Sequence, residues 1–119
     1  MINEDFRPTK KPIKRCDVFW TAVPNYSDNV EKERPCVVIS NDRNNEFSSM
    51  INMVPLTTKP HRTDLVCNVM LHDGRMAKTN QLFVVDKKFI GDKQGKLPPI
   101  DMHAIMRSIV FQFDMAEYF

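Results

Sequence analysis

From residue 16 to residue 85 the apolar positions come in short runs rich in β-branched and aromatic residues, separated by proline, glycine or polar clusters. Such runs predict strands. The first is Cys16–Val23, ended by Pro24, and the polar stretch Asn25–Glu33 predicts a loop. Arg34 and Pro35 open the second strand, where a missing amide is tolerated. Val37, Val38 and Ile39 then form a continuous apolar run, the pattern of a strand buried on both faces. Asn41–Ser49 reads as a loop with one helical turn, and Met50–Leu56 as the third strand. A basic turn, Lys59–Asp64, leads to a fourth strand, Leu65–Leu71. His72-Asp73-Gly74-Arg75 predicts a hairpin turn, because Asp-Gly supplies the positive φ such turns need. Met76–Val85 is the fifth strand, and Asp86–Leu97 a charged linker with one helical turn at Lys87–Ile90.

After residue 97 the period changes. Pro98-Pro99 suits a helix start. Met102, Ile105, Met106, Ile109, Val110 and Phe113 recur at three- and four-residue spacing and predict one apolar helix face, packed on the sheet as core rather than lining a cofactor site. The fold expected is mainly β with a C-terminal helix: a small, strongly bent sheet or partly open barrel.

Length adds that 119 residues make one domain, small enough for dimerisation to help. The expected division is a flexible basic arm over residues 1–12, able to add phosphate affinity, and a folded domain over 13–119. Net charge is only +2, yet residues 1–15 carry five cations (Arg7, Lys10, Lys11, Lys14, Arg15) against Glu4 and Asp5. Whole-chain charge therefore argues little about nucleic acid, and only local patches can. No apolar stretch reaches 18 residues, which excludes a transmembrane helix, and the polar N-terminus lacks a secretory core, so the expected location is the cytoplasm. Cys16, Cys36 and Cys67 are odd in number and form no C-x-x-C pair, which predicts reduced thiols in strands. His61, His72 and His103 are not at ligand spacing from them, so no metal or other cofactor is expected.

The candidate chemistry sits at strand ends. Arg34 opens one apolar run, and Thr57 and Thr58 close the next. If the runs pair, a permanent cation and two hydroxyls face one surface. RNA brings its own nucleophile, the 2′-hydroxyl. The protein must neutralise charge growing on the phosphate, and a guanidinium with five fixed donors suits that task. Lys59, Arg62 and Lys78 are candidate phosphate contacts, and His61 a candidate acid or base beside them. Each has a plainer reading. Taken alone, Arg34 reads first as a surface arginine held by Glu31, Glu33 or Asp17, the threonines as strand formers, and the loop charges as solubilising.

Four blocks in order resemble the MazF/PemK family of endoribonuclease toxins. They are Ile13-Lys14-Arg15-Cys16-Asp17-Val18-Phe19-Trp20, Arg34-Pro35-Cys36-Val37-Val38-Ile39-Ser40-Asn41, Val54-Pro55-Leu56-Thr57-Thr58-Lys59, and Asn80-Gln81-Leu82-Phe83-Val84-Val85-Asp86-Lys87. The resemblance implies an SH3-like barrel of the CcdB/MazF/PemK type, a homodimer, sequence-specific cleavage of single-stranded RNA to a 2′,3′-cyclic phosphate and a 5′-hydroxyl, and an antitoxin partner. It implies that Arg34 and Thr57 are the catalytic pair, with Thr58, Lys59, Arg62, Lys78 and Gln81 toward RNA. The chain departs from the pattern at four places. Cys16 stands where a glycine is expected, Asn80 replaces a carboxylate, Phe83 replaces an arginine, and Asn29–Glu33 lacks a glycine. Phe83 either stacks a base or fills core. These departures leave two alternatives: a non-catalytic nucleic-acid-binding or regulatory barrel, and an SH3-like peptide-binding module using Phe19, Trp20, Tyr26 and Phe47.

Overall fold

The structure, a computed structural model, describes residues 6–23 and 32–114. Strands β1 (Asp17–Val23), β2 (Lys32–Val38), β3 (Met50–Thr57), β4 (Asn68–Met70), β5 (Met76–Lys78), β6 (Phe83–Asp86) and β7 (Ile90–Lys96) form one antiparallel sheet. Its order is β4-β5-β3-β2-β1-β7, with β6 also on β3. Helix α1 (Asp42–Phe47) links β2 to β3, and α2 (Pro99–Gln112) follows β7. Register shifts in the β1–β7 ladder on either side of Phe19 bend the sheet. The barrel expectation thus takes the form of a strongly bent open sheet, with β4 and β7 as its ends among the described residues.

Alternation along the strands separates two cores. One face carries Val18, Val37, Val54 and Leu56, and α2 covers it with Met102, Ile105 and Ile109. The other carries Phe19, Cys36, Val38, Ile51 and Met53, closed over by Val85, Ile90 and Ile13. Val37 and Val38 therefore end β2 buried on both faces, as the pattern predicts, with Ile39 buried just beyond it.

Pro35 lies inside β2 rather than at its start, because the strand extends back to Lys32. Ile39 donates its amide to the Asn52 carbonyl of β3 (3.0 Å), so by alternation the Pro35 nitrogen faces the same edge. The β2–β3 ladder has already ended there, at Cys36–Pro55. Pro55 in turn falls between the stretch of β3 paired to β6 and the stretch paired to β5. Each proline sits where the sheet asks for no donor.

Four elements differ from expectation. The fourth strand shrinks to Asn68–Met70, with Leu65 and Val66 exposed. The fifth splits into β5, a 3₁₀ turn at Thr79–Gln81, and β6, because Thr79 turns inward to bond Cys67 and Ser108. The charged linker contains the expected turn, at Lys87–Phe89, but then continues as strand β7. Val110 of α2 and its cap residue Phe113 face solvent, and the polar Asp101 and Ser108 are buried in the helix's packed side. Of the expected N-terminal arm, residues 1–5 lie outside the described residues. Within residues 6–12 the Thr9 amide donates to the Ile90 carbonyl at 2.7 Å and the Phe6 ring lies beside Gly91 of β7. Residues 25–31 of the expected Asn25–Glu33 loop, Tyr26 among them, also lie outside the described residues, while Lys32 and Glu33 begin β2.

Candidate active site

Arg34 and Thr57 are brought together by strand register. Cys36 pairs with Pro55 at the end of the β2–β3 ladder, and Arg34 and Thr57 each lie two residues beyond that pair on adjoining strands. The period of two puts both side chains on one face, that of Cys36 and Pro55. On the other side Arg34 pairs with Thr21, and Thr57 pairs with Met76. One cross-strand row thus reads Thr21, Arg34, Thr57, Met76. Its ends are fully buried, while Arg34 and Thr57 are half-buried at its centre.

Sequence reasoning had no signal for Thr21, which the register alone reveals. Its hydroxyl bonds the Phe19 carbonyl (3.2 Å) and the Met53 sulfur (3.6 Å), a fully buried base for the row. Of the carboxylates expected to hold Arg34, Glu31 lies outside the described residues, and neither Asp17 nor Glu33 pairs with it. Asp17 is buried and bonded to the Lys14 amide (3.1 Å) and Lys93 Nζ (3.3 Å), and exposed Glu33 is paired in register with Ala22. Among the described residues no hydrogen bond or ion pair engages the Arg34 guanidinium. A half-buried cation that no carboxylate engages among the described residues can meet an anionic ligand.

Beyond β3 the chain folds back over this face. Thr57 Oγ1 accepts the Lys59 amide (3.1 Å), and the Lys59 carbonyl meets His61 Nδ1 (3.3 Å). His61 Nε2 lies 3.1 Å from Lys78 Nζ. Lys78 stands two residues after Met76 on β5, so it projects to the same face as Thr57. Thr57, Lys59, His61 and Lys78 are thus one connected group. Thr58 is exposed beside them, and Gln81 is exposed on the 3₁₀ turn after β5. Arg62 turns away: its guanidinium holds Asp64 through two bonds of 3.0 and 3.1 Å. That pairing raises the Arg62 pKa and lowers that of Asp64. Phe83 packs against the core cluster of Phe19 and Met53, the core-filling alternative for this residue. Asn80 is exposed.

The loop that carries Lys59 to Asp64 is itself anchored. Buried Asn68 donates to the carbonyls of His61 (3.2 Å) and Arg62 (3.0 Å). Ser108 of α2 donates to the Val66 carbonyl (2.7 Å) and meets the Thr79 hydroxyl at 2.7 Å. A second histidine contact lies apart from this group: His72, in the β4–β5 turn, meets buried Asp101 of α2 at 2.5 Å. Below the row, burial pushes the Cys36 thiol up to about 12, against the lowering effects of the Thr21 hydrogen bond and the Arg34 charge. The face can therefore offer a phosphate fixed positive charge and hydroxyl donors, with a neutral thiol beneath.

Comparison with known proteins concerns the chain as a whole. Residues 14–113 match the family model described as the PemK-like, MazF-like toxin of type II toxin–antitoxin systems. No curated protein sequence matches at a significant level. Among solved structures the fold is similar to an endoribonuclease from a mycobacterial species, at 18% identity and TM-score 0.73, over 87% of this chain and 93% of that one. It is similar to an endoribonuclease in complex with its cognate antitoxin, also mycobacterial, at 20% identity and TM-score 0.73, over 86% and 95% of the two chains. It is likewise similar to MazF from Deinococcus radiodurans, at 14% identity and TM-score 0.73, over 89% and 100%. At these identities the likeness is one of fold.

Proposed function

The chain belongs to the PemK-like, MazF-like toxin family, and from that premise we propose that it is an endoribonuclease that cuts single-stranded RNA at a short sequence without a metal. The substrate supplies the nucleophile, its 2′-hydroxyl, and the phosphate is attacked in line to give a 2′,3′-cyclic phosphate and a 5′-hydroxyl. Arg34 bonds the non-bridging oxygens as negative charge grows on them, and the Thr57 hydroxyl donates to the same oxygens. Donors already in place are worth more there than in water, because they need no reorganisation as the charge develops. Lys59, Lys78, Thr58 and Gln81 border the path of the strand, and Arg62 joins them only by leaving Asp64.

The observation that carries this reading is the Arg34 guanidinium, on the same face as Thr57 and engaged by no carboxylate among the described residues. A purely structural arginine at a strand start is expected to hold one. The partners proposed are a second copy of the chain and a cognate antitoxin, the latter supported by the antitoxin-bound form of a structural neighbour.

The test is cleavage of a long single-stranded RNA in EDTA, with the ends mapped. Wild type is expected to cut at one short motif. Arg34→Ala and Thr57→Ala are each expected to lose about 100- to 1000-fold in rate, the usual loss on removing one such donor. Folded wild type that leaves several long RNAs intact refutes this reading and supports the non-catalytic binder.

A further inference from the structure

Arg34 and Thr57 stabilise charge, but neither takes the proton that must leave the 2′-oxygen. A guanidinium stays protonated at any relevant pH, and a threonine hydroxyl is too weak a base. The ribonuclease reading therefore lacks a base, and the connected group on the same face contains one imidazole.

The tautomer of His61 is set by its two neighbours. A carbonyl only accepts, so Nδ1, 3.3 Å from the Lys59 oxygen, carries the hydrogen. An ammonium only donates, so Nε2, 3.1 Å from Lys78 Nζ, presents its lone pair. In this tautomer the basic nitrogen, Nε2, is turned to Lys78. Its backbone is held too, since Asn68 bonds the His61 carbonyl and stands directly opposite Lys78 in the β4–β5 register. The circuit closes: β4 holds the loop, the loop holds the ring, and the ring meets β5.

Distance to the reacting centre follows from the sheet. Thr57 pairs with Met76, and Lys78 is the diagonal neighbour of that pair on the same face, about 7–8 Å from Thr57 by ordinary sheet spacing. Lys78 Nζ and His61 Nε2 therefore overhang the side of Thr57 away from Arg34. The link to the reacting centre runs through Lys59, whose amide donates to Thr57 Oγ1 and whose carbonyl meets His61 Nδ1, so a phosphate bound at the Thr57 hydroxyl adjoins this group. The other charged groups on the loop are Lys59, which is exposed, and Arg62 with Asp64, which satisfy each other; those packed from β5 reduce to Lys78.

We propose that His61 is the general base of the cleavage and that Lys78 holds it idle until RNA arrives. Bound phosphate draws the Lys78 ammonium to its oxygens, which frees Nε2. The 2′-O–H bond then breaks and its proton moves to Nε2. The 2′-oxygen bonds phosphorus, the bond from phosphorus to the 5′-oxygen breaks, and that oxygen takes a proton from water. His61 returns its proton to solvent, so the reaction consumes nothing further.

The experiment measures single-turnover cleavage across pH 5–9 for wild type, His61→Ala and Lys78→Met, with and without added imidazole. Binding is read in parallel on an oligonucleotide whose 2′-hydroxyl at the cut site is replaced by hydrogen. His61→Ala is expected to lose at least about 100-fold in rate near neutral pH, within the range usual for a positioned base. It should also lose the rise of rate with pH, recover rate with imidazole, and bind the oligonucleotide within about threefold of wild type. Lys78→Met should weaken binding. Wild-type rate and pH profile in His61→Ala overturn the proposal, as does a loss that imidazole does not restore and that binding fully accounts for. Wild type inactive on RNA refutes the ribonuclease reading itself, and does so before any variant is compared.

Discussion

Cys36 sits two residues after Arg34 on the same face of β2, fully buried in the core cluster of Phe19 and Met53. Burial disfavours its thiolate and pushes the pKa up to about 12. The sign follows from linkage. The folded state holds the thiol proton more tightly than the unfolded chain, whose cysteine ionises near 9. The stability this adds is fully present below about pH 9 and is lost as pH rises toward 12. Between pH 9 and 11 the melting temperature of Cys36→Ala should therefore fall less steeply than that of wild type. In native protein at pH 8, iodoacetamide should modify half-buried Cys16 and Cys67 well before Cys36, which peptide mapping reads directly. Cys16 also shows why the family pattern has a glycine there. Its φ is +82°, a left-handed backbone that costs a residue with a Cβ.

At the scale of elements, β7 is the strand whose place depends most on its neighbours. Gly91 lies in it with so little room that an added Cβ would meet the Trp20 carbonyl oxygen of β1 at 2.9 Å and the Phe6 ring at 3.4 Å. The Phe6 ring can yield, but the β1 backbone cannot without parting the β1–β7 ladder. Gly91→Ala is expected to cost about 1–3 kcal/mol, the usual range for overpacking, measured by urea unfolding. Gly95, four residues on, has open space around it, so Gly95→Ala serves as the control and should change stability little. The contrast tests whether residues 6–13 and β7 pack as one layer on β1, with Thr9 bonded to Ile90.

For the whole molecule the relevant balance is local charge, since the net charge is only +2. If Arg34, Lys59 and Lys78 meet phosphates, RNA affinity must fall steeply with salt through counterion release. Affinity for the uncleavable oligonucleotide, taken from 50 to 300 mM salt, should give a linear log–log plot. Lys78→Met should reduce its slope by about one. Arg62→Ala should leave the slope unchanged if Arg62 stays with Asp64. The same titration separates RNA binding from peptide binding, which an aromatic groove would support with little salt dependence. Among the described residues the aromatic side chains do not form such a groove: Phe19 is core, while Trp20 is exposed on the opposite face of β1 from Phe19, and Phe47 is exposed on α1.

Periodicity and turn chemistry carried much of this fold in the chain itself. Strands at Cys16–Val23 and Met50–Leu56, the Asp73-Gly74 turn and the terminal helix are local signals, because burial face and φ preference act within a few residues. So are Arg34 and Thr57, each marked by its place at the end of an apolar run. Tertiary structure decided what depends on partners far along the chain. β7 reads as a linker because an exposed edge strand held by backbone bonds to β1 needs no apolar alternation. The break at Thr79 comes from Ser108, 29 residues later. The row Thr21–Arg34–Thr57 exists only through register, and the Lys78–His61 contact only because Asn68 ties a loop to the strand beside it. A sequence lists which groups can do chemistry, but a distance between strands is set by pairing, and pairing is a property of the folded sheet.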